Sequence, residues 1–243
     1  IFIAAPPLGI ITSVIGAPAA ILGRMQLEAL VFDAYGTLFD VHSVVQRCES
    51  FWPGQGARVS QLWRAKQLEY TWQRSLMRRY APFSGVTREA LAYSCEALAL
   101  ELTAERMEAL MGEYHMLSTY DDVVPALKKL AGRKMAILSN GSPDMLGPVV
   151  EHARLELDAV LSVEEVKVFK PAPEVYQLAV ARLGVDKGRI GFVSSNCWDA
   201  LGAKSYGFAV FWINRLGAPV DRLGFAPDAI LGSLGDLPEK ILI

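Results

Sequence analysis

Cysteine and histidine are scarce in this sequence, with three of each in 243 residues. Cys48, Cys95 and Cys197 are odd in number, far apart and never in a C-x-x-C pair. That excludes a disulfide framework and a cysteine-rich zinc site, and it points to a reducing, cytoplasmic setting. His42, His115 and His152 are too scattered to form a metal cluster by local spacing, so no metal is expected. No block of like charge occurs either. The balance is 24 basic against 26 acidic residues, and the basic stripe of a nucleic-acid binder is missing. Internal repeats are absent as well.

What is present is apolar: 52% of the residues are hydrophobic. A chain of this length can bury a sizeable core as one α/β domain, or as one with an insertion. Ile1 to Gly23 carries no charge and is polar only at Thr12 and Ser13. Its length suits a membrane span, but Pro6, Pro7 and Pro18, with Gly9, Gly16 and Gly23, would break an isolated helix. No basic residue precedes it, as a signal peptide requires. We expect residues 1–24 to be an extension outside the fold, with an anchor or a cleaved leader as the alternatives.

From Gln26 onward short apolar runs alternate with helical stretches. The runs are Leu27–Phe32, Met135–Leu138, Ala159–Leu161, Ile190–Val193 and Phe208–Ile213. Such runs read as buried parallel strands in βαβ units, a Rossmann-like α/β sheet. Residues 41–120 break the rhythm. Leu62, Ala65, Leu68, Trp72, Leu76 and Tyr80 recur at helical steps, as do Leu91, Cys95, Leu98 and Leu102. Thr87 and Thr103 suit N-caps. The expected organisation is a core of residues 25–40 and 121–243 with an all-helical cap, 41–120, inserted after the first strand.

Ligands of an open parallel sheet bind outside the carboxyl ends of its strands. There the sequence places Asp33 with Tyr35 and Thr37, then Ser139-Asn140-Gly141, then Lys170-Pro171, then Ser194 to Asp199. Each alone is ordinary: a strand-end Asp is usually a turn former, and Ser-Asn-Gly is a common turn. Two carboxylates, a lysine and several hydroxyl and amide groups on one rim are not.

These four segments, in this order, resemble the motifs of the haloacid dehalogenase superfamily. Phe39–Ser43 and Leu62–Tyr70 further resemble the L-2-haloacid dehalogenases within it. Most of that superfamily are magnesium-dependent phosphatases, the alternative here. They carry a second Asp two positions after the nucleophile, where this chain has Tyr35, a poor acid with a pKa of about 10. They also resemble G-D-S-x-x-D in the last motif, where alignment on Asp199 puts Ser195 in place of the metal-binding Asp. A halide leaves without a proton, so both departures point to metal-free carbon–halogen cleavage, without a cofactor. A catalytically silent binding module is a third reading, opposed by the joint retention of Asp33, Lys170 and Asp199.

The resemblance implies hydrolysis of short-chain L-2-haloacids to D-2-hydroxy acids and halide through an ester on Asp33. It implies catalytic roles for Thr37, Arg64, Lys170, Ser195, Asn196 and Asp199, the last either activating water or holding Lys170. Arg64 would receive the halide, with Asn140. Ser139 and Asn140 would bind the substrate carboxylate, and Tyr35, Leu68, Phe83, Tyr176 and Trp198 would complete the substrate site. The partners implied are the haloacid, the halide and a second copy of the chain. One departure stands out: the family commonly has Gln after this Arg, where this chain has Ala65, which bears on halogen preference and rate.

Overall fold

The computed structural model describes residues 26–241. The apolar segment 1–24, and the expectation attached to it, lie outside the described residues. Six parallel strands form one sheet in the order β3-β2-β1-β4-β5-β6. They are β1 (Ala29–Phe32), β2 (Lys134–Ser139), β3 (Ala159–Ser162), β4 (Ile190–Ser194), β5 (Ala209–Ile213) and β6 (Ala229–Leu231). The five apolar runs thus become the five longer strands; β6 has only three residues, too few to show a pattern. Every residue of β1 is fully buried, because a central parallel strand is covered on both faces. Val31 pairs with Ala136 of β2 and Phe192 of β4. The chain order reverses across β1, so a crevice opens between the ends of β1 and β4.

Of the helices between β1 and β2, four lie in the stretch between Asp40 and Ser118: α1 (His42–Phe51), α2 (Gly56–Met77), α3 (Phe83–Ala97) and α4 (Ala104–Glu113). The chain leaves and re-enters the sheet layer along a short paired ladder, Asp40 N–H to the Ser118 carbonyl (2.9 Å) and Tyr120 N–H to that of Leu38 (3.1 Å). Helices α5 (Val123–Lys129), α6 (Pro143–Ala153), α7 (Pro173–Leu183), α8 (Cys197–Tyr206) and α9 (Leu237–Ile241) accompany the sheet. Among the described residues, no helix is long and apolar enough to cross a membrane.

Two helix expectations need correction. Thr103 does cap α4, accepting the Arg106 N–H at 3.2 Å, but Thr87 lies inside α3, which begins after Pro82. Its hydroxyl donates to the Phe83 carbonyl one turn back. Helix α2 also faces inward differently from its apolar stripe. The buried face is Val59, Trp63, Gln67 and Thr71, whereas Trp72 is 37% and Leu76 86% exposed. Trp63 Nε1 donates to the Thr87 carbonyl and Thr71 to that of Leu68. Polar side chains with partners can be buried, and counting apolar positions misses them.

Candidate active site

Asp33 follows β1 directly and is 7% exposed. Its two oxygens are unequally engaged. Oδ2 accepts Asn196 Nδ2 (2.7 Å), the Thr37 hydroxyl (3.2 Å) and the Ser194 hydroxyl (3.5 Å); Oδ1 accepts the Lys170 ammonium (3.1 Å). The Thr37 oxygen also receives the Ser195 N–H at 2.8 Å, which leaves its own proton for Asp33. Lys170, buried, reaches across to Asp199 Oδ2 at 2.8 Å. The other Asp199 oxygen accepts the Tyr176 hydroxyl, also at 2.8 Å. Burial alone would lower the Lys170 pKa, but the charges of Asp199 and Asp33 outweigh it and hold the ammonium above its ordinary value.

Helix α8 comes close enough to build this triad because residue 202 is glycine. A Cβ there would stand 2.5 Å from Pro171 Cβ and from the Tyr176 hydroxyl. Gly141 plays the same part after β2, where a Cβ would lie 3.0 Å from the Tyr35 ring.

A narrow cavity lies between this cluster and the inserted helices. Asp33, Tyr35, Arg64, Leu68, Phe83, Ser139, Asn140, Lys170, Asn196 and Trp198 line it, and all were singled out from the sequence. The Ser139 oxygen accepts the Gly141 N–H (3.0 Å), leaving its proton for a ligand. The Asn140 oxygen accepts the Lys170 N–H (3.0 Å), leaving its amide nitrogen to donate. Arg64 projects from α2, with Nη1 2.7 Å from Gln67 Oε1 and Nη2 3.5 Å from Asn196 Oδ1. One cavity thus holds a buried carboxylate, two donors suited to a second carboxylate, an apolar wall and a guanidinium. A larger, open cleft beside α2 and α3 is lined by Tyr70, Gln73, Arg74, Met77 and Glu89 and lies away from these groups.

Thr37, Ser195, Asp199 and Tyr176 do not line the cavity. Thr37 touches Asp33, and Tyr176 stands behind Asp199. The buried Ser195 hydroxyl has no partner among the described residues, and only its backbone N–H supports the site. Its neighbour Ser194, not chosen from the sequence, puts its hydroxyl toward Asp33 and accepts the Asn196 N–H. Strand parity carried that signal: in register with Trp212, Ser194 ends β4 beside Asp33. Ala65 is exposed, and Gln67, two positions on, is the glutamine that meets Arg64.

The donor set does not fit magnesium, the metal that the superfamily's phosphatases use. A lysine ammonium is bonded to both carboxylates that would ligate the ion, and the remaining position offers a serine.

A model of the haloacid dehalogenase-like hydrolases matches residues 27–207. The chain belongs to this family. It is 48% identical over 220 residues to (S)-2-haloacid dehalogenase H-109 of Pseudomonas putida, covering 89% of this chain and 98% of that one. Its fold superposes on the crystal structure of the L-2-haloacid dehalogenase RSc1362 with a TM-score of 0.88 at 46% identity, over 90% of this chain and 100% of that one. The L-2-haloacid dehalogenase of Xanthobacter autotrophicus with chloropropionic acid covalently bound gives 0.85 at 43% identity, over 89% and 98%. In this haloacid dehalogenase-like hydrolase, the strand-end segments surround one cavity.

Proposed function

We propose that the chain is an (S)-2-haloacid dehalogenase that hydrolyses short-chain L-2-haloacids to D-2-hydroxy acids and halide. The observation that carries this reading is the cavity in which a buried Asp33 carboxylate, paired to Lys170, faces Arg64 and an apolar wall. The substrate carboxylate takes the Ser139 hydroxyl and the Asn140 amide. Asp33 Oδ1, engaged by one donor where Oδ2 has three, attacks C2. The carbon–halogen bond breaks with its electron pair leaving on the halide, which Arg64 and Asn140 receive, and C2 inverts. Water then attacks the Asp33 carbonyl carbon, which frees the hydroxy acid and restores the carboxylate. With both oxygens bonded, Asp199 holds Lys170.

Tyr35 argues against an acid-assisted phosphatase. Burial pushes its phenol above the ordinary value, away from the range in which a leaving alkoxide could be protonated. The same reading divides the chain into a core, 25–40 and 121–243, and a cap, 41–120, joined at the Leu38–Asp40 and Ser118–Tyr120 ladder. It also takes the protein as a cytoplasmic homodimer, on its unpaired cysteines and on the apolar side chains that α2 leaves exposed.

The test is a single turnover of L-2-chloropropionate in ¹⁸O-water, before and after EDTA treatment. Label should appear in Asp33, the product should be D-lactate, and chelation should change neither. Asp33→Asn should release no halide. Label found only in the lactate would replace the ester route by direct attack of water. Magnesium-dependent phosphate ester hydrolysis without halide release would promote the phosphatase.

A further inference from the structure

We propose that Gln67 and Thr87, which lie outside the cavity wall, are positioning residues that aim Arg64 at the departing halide. This rests on the dehalogenase reading above. Gln67 is fully buried on the inward face of α2, between Trp63 and Thr71. An amide there is costly unless it is satisfied, and an aliphatic side chain would fill the space without that cost. Its bonds have a fixed direction. The Thr87 hydroxyl spends its one proton on the Phe83 carbonyl at 2.7 Å, so its oxygen can only accept. It accepts Gln67 Nε2 at 2.8 Å. The amide nitrogen of Gln67 must therefore face Thr87, and its oxygen faces Arg64 Nη1 at 2.7 Å.

A second amide is oriented by the same logic from the sheet side. Asn196 gives Nδ2 to Asp33 Oδ2, which turns its oxygen toward Arg64 Nη2. The guanidinium is thus held between two amide oxygens, one from the inserted helices and one from the start of α8. A chain of polar contacts runs from Thr87 through Gln67, Arg64 and Asn196 to the nucleophile. An arginine side chain has many rotamers, and a departing halide is stabilised most by N–H groups already in place when the bond breaks. Gln67 and Thr87 supply that order from behind.

The experiment measures single-turnover halide release from L-2-chloropropionate and L-2-bromopropionate by wild type, Thr87→Val, Thr87→Ser and Gln67→Met. Valine keeps the shape of threonine but cannot accept, so Gln67 is free to turn; serine keeps the hydroxyl. Chloride is the poorer leaving group and needs Arg64 more. Thr87→Val and Gln67→Met should slow chloride release by about ten-fold or more and bromide release by several-fold less, with KM little changed. Thr87→Ser should stay within about two-fold of wild type. Hydrolysis of the ester, read from hydroxy acid formation after the halide burst, should keep its rate. Equal losses on both substrates, or wild-type kinetics in Thr87→Val, would overturn the assignment and leave Gln67 a packing residue. No halide from either substrate with the unmodified enzyme would instead remove the dehalogenase reading itself, a result visible before any variant is compared.

Discussion

Between Asp33 and Asp199 the Lys170 ammonium makes two ion pairs, of 3.1 and 2.8 Å, with almost no solvent around it. A lysine pKa held above its unfolded value stabilises the fold fully below about 10.4, and that contribution is lost only as pH rises through the folded pKa. The alkaline limit of activity therefore belongs above the ordinary lysine range. Asp199 sets the other side. Burial raises its pKa to about 6, helped by the charge of Asp33 and opposed by Lys170 and the Tyr176 hydrogen bond. As pH falls through that value Asp199 takes up a proton and stops holding Lys170, so kcat/KM should decline below about pH 6. Tyr176→Phe removes a donor that favours the carboxylate, so the acid limb should move to higher pH by up to about one unit while the alkaline limb stays. An unmoved acid limb in that variant would assign it to another group. The residues of this triad were legible in the sequence because each follows a strand in the chain, Asp33 after β1, Lys170 after β3 and Asp199 after β4. Tyr176 was placed at the substrate from its spacing to Lys170, and its position behind Asp199 depends on how α7 packs on α8. The choice of Ser195 over Ser194 turned on the last register position of β4, which alignment on Asp199 leaves open.

At the scale of single elements, the approach of α8 to α7 shows how much of the site is packing. Helix α8 carries Asp199 on its first turn, and Gly202 is the position where it crosses Pro171 and Tyr176. Gly202→Ala puts a methyl group where 2.5 Å is available, against a ring carbon and a hydroxyl held by Asp199. Neither neighbour is the free end of a flexible side chain. The expected cost is about 1–3 kcal/mol in urea unfolding, with a loss of kcat larger than the loss of folded protein, because the displaced helix takes Asp199 from Lys170. A stable Gly202→Ala enzyme with full activity would show that the two helices can part without harm. Helix α2 shows where reading elements from sequence stops. Its existence was plain from the three- and four-residue steps, but its rotation was not. The sequence carries two competing stripes, one apolar through Leu62, Leu68, Trp72 and Leu76, the other through Val59, Trp63, Gln67 and Thr71. The second is buried because its polar members find partners on α3 and on the backbone of α2 itself.

In the whole molecule the rotation of α2 has a further consequence. The parallel order of the sheet and the position of the helical insertion were readable, since near-continuous apolar runs separated by helices admit few other arrangements. What α2 and α3 turn outward was not. Leu76 is 86%, Met77 60% and Tyr93 41% exposed, beside the partly exposed Trp72. Side chains of this kind on neighbouring helices are what a monomer covers with a partner, and a second copy of the chain is the occupant proposed above. Trp72 also packs edge-on against Trp198, with ring centroids 5.6 Å apart, and Trp198 lines the cavity. A subunit seated on α2 would hold Trp72 and, through it, one wall of the substrate site. Leu76→Glu places a charge in the centre of that face and should convert a dimer into a 26.6 kDa monomer in sedimentation velocity. The side chains assigned above to the reaction all belong to this chain's own cavity and strand ends, so the monomer should still release halide. Its rate should fall by no more than about three-fold, through looser packing of Trp198. Wild-type protein that sediments as a monomer at micromolar concentration would remove the dimer from the account, and α2 would then carry its apolar side chains in water.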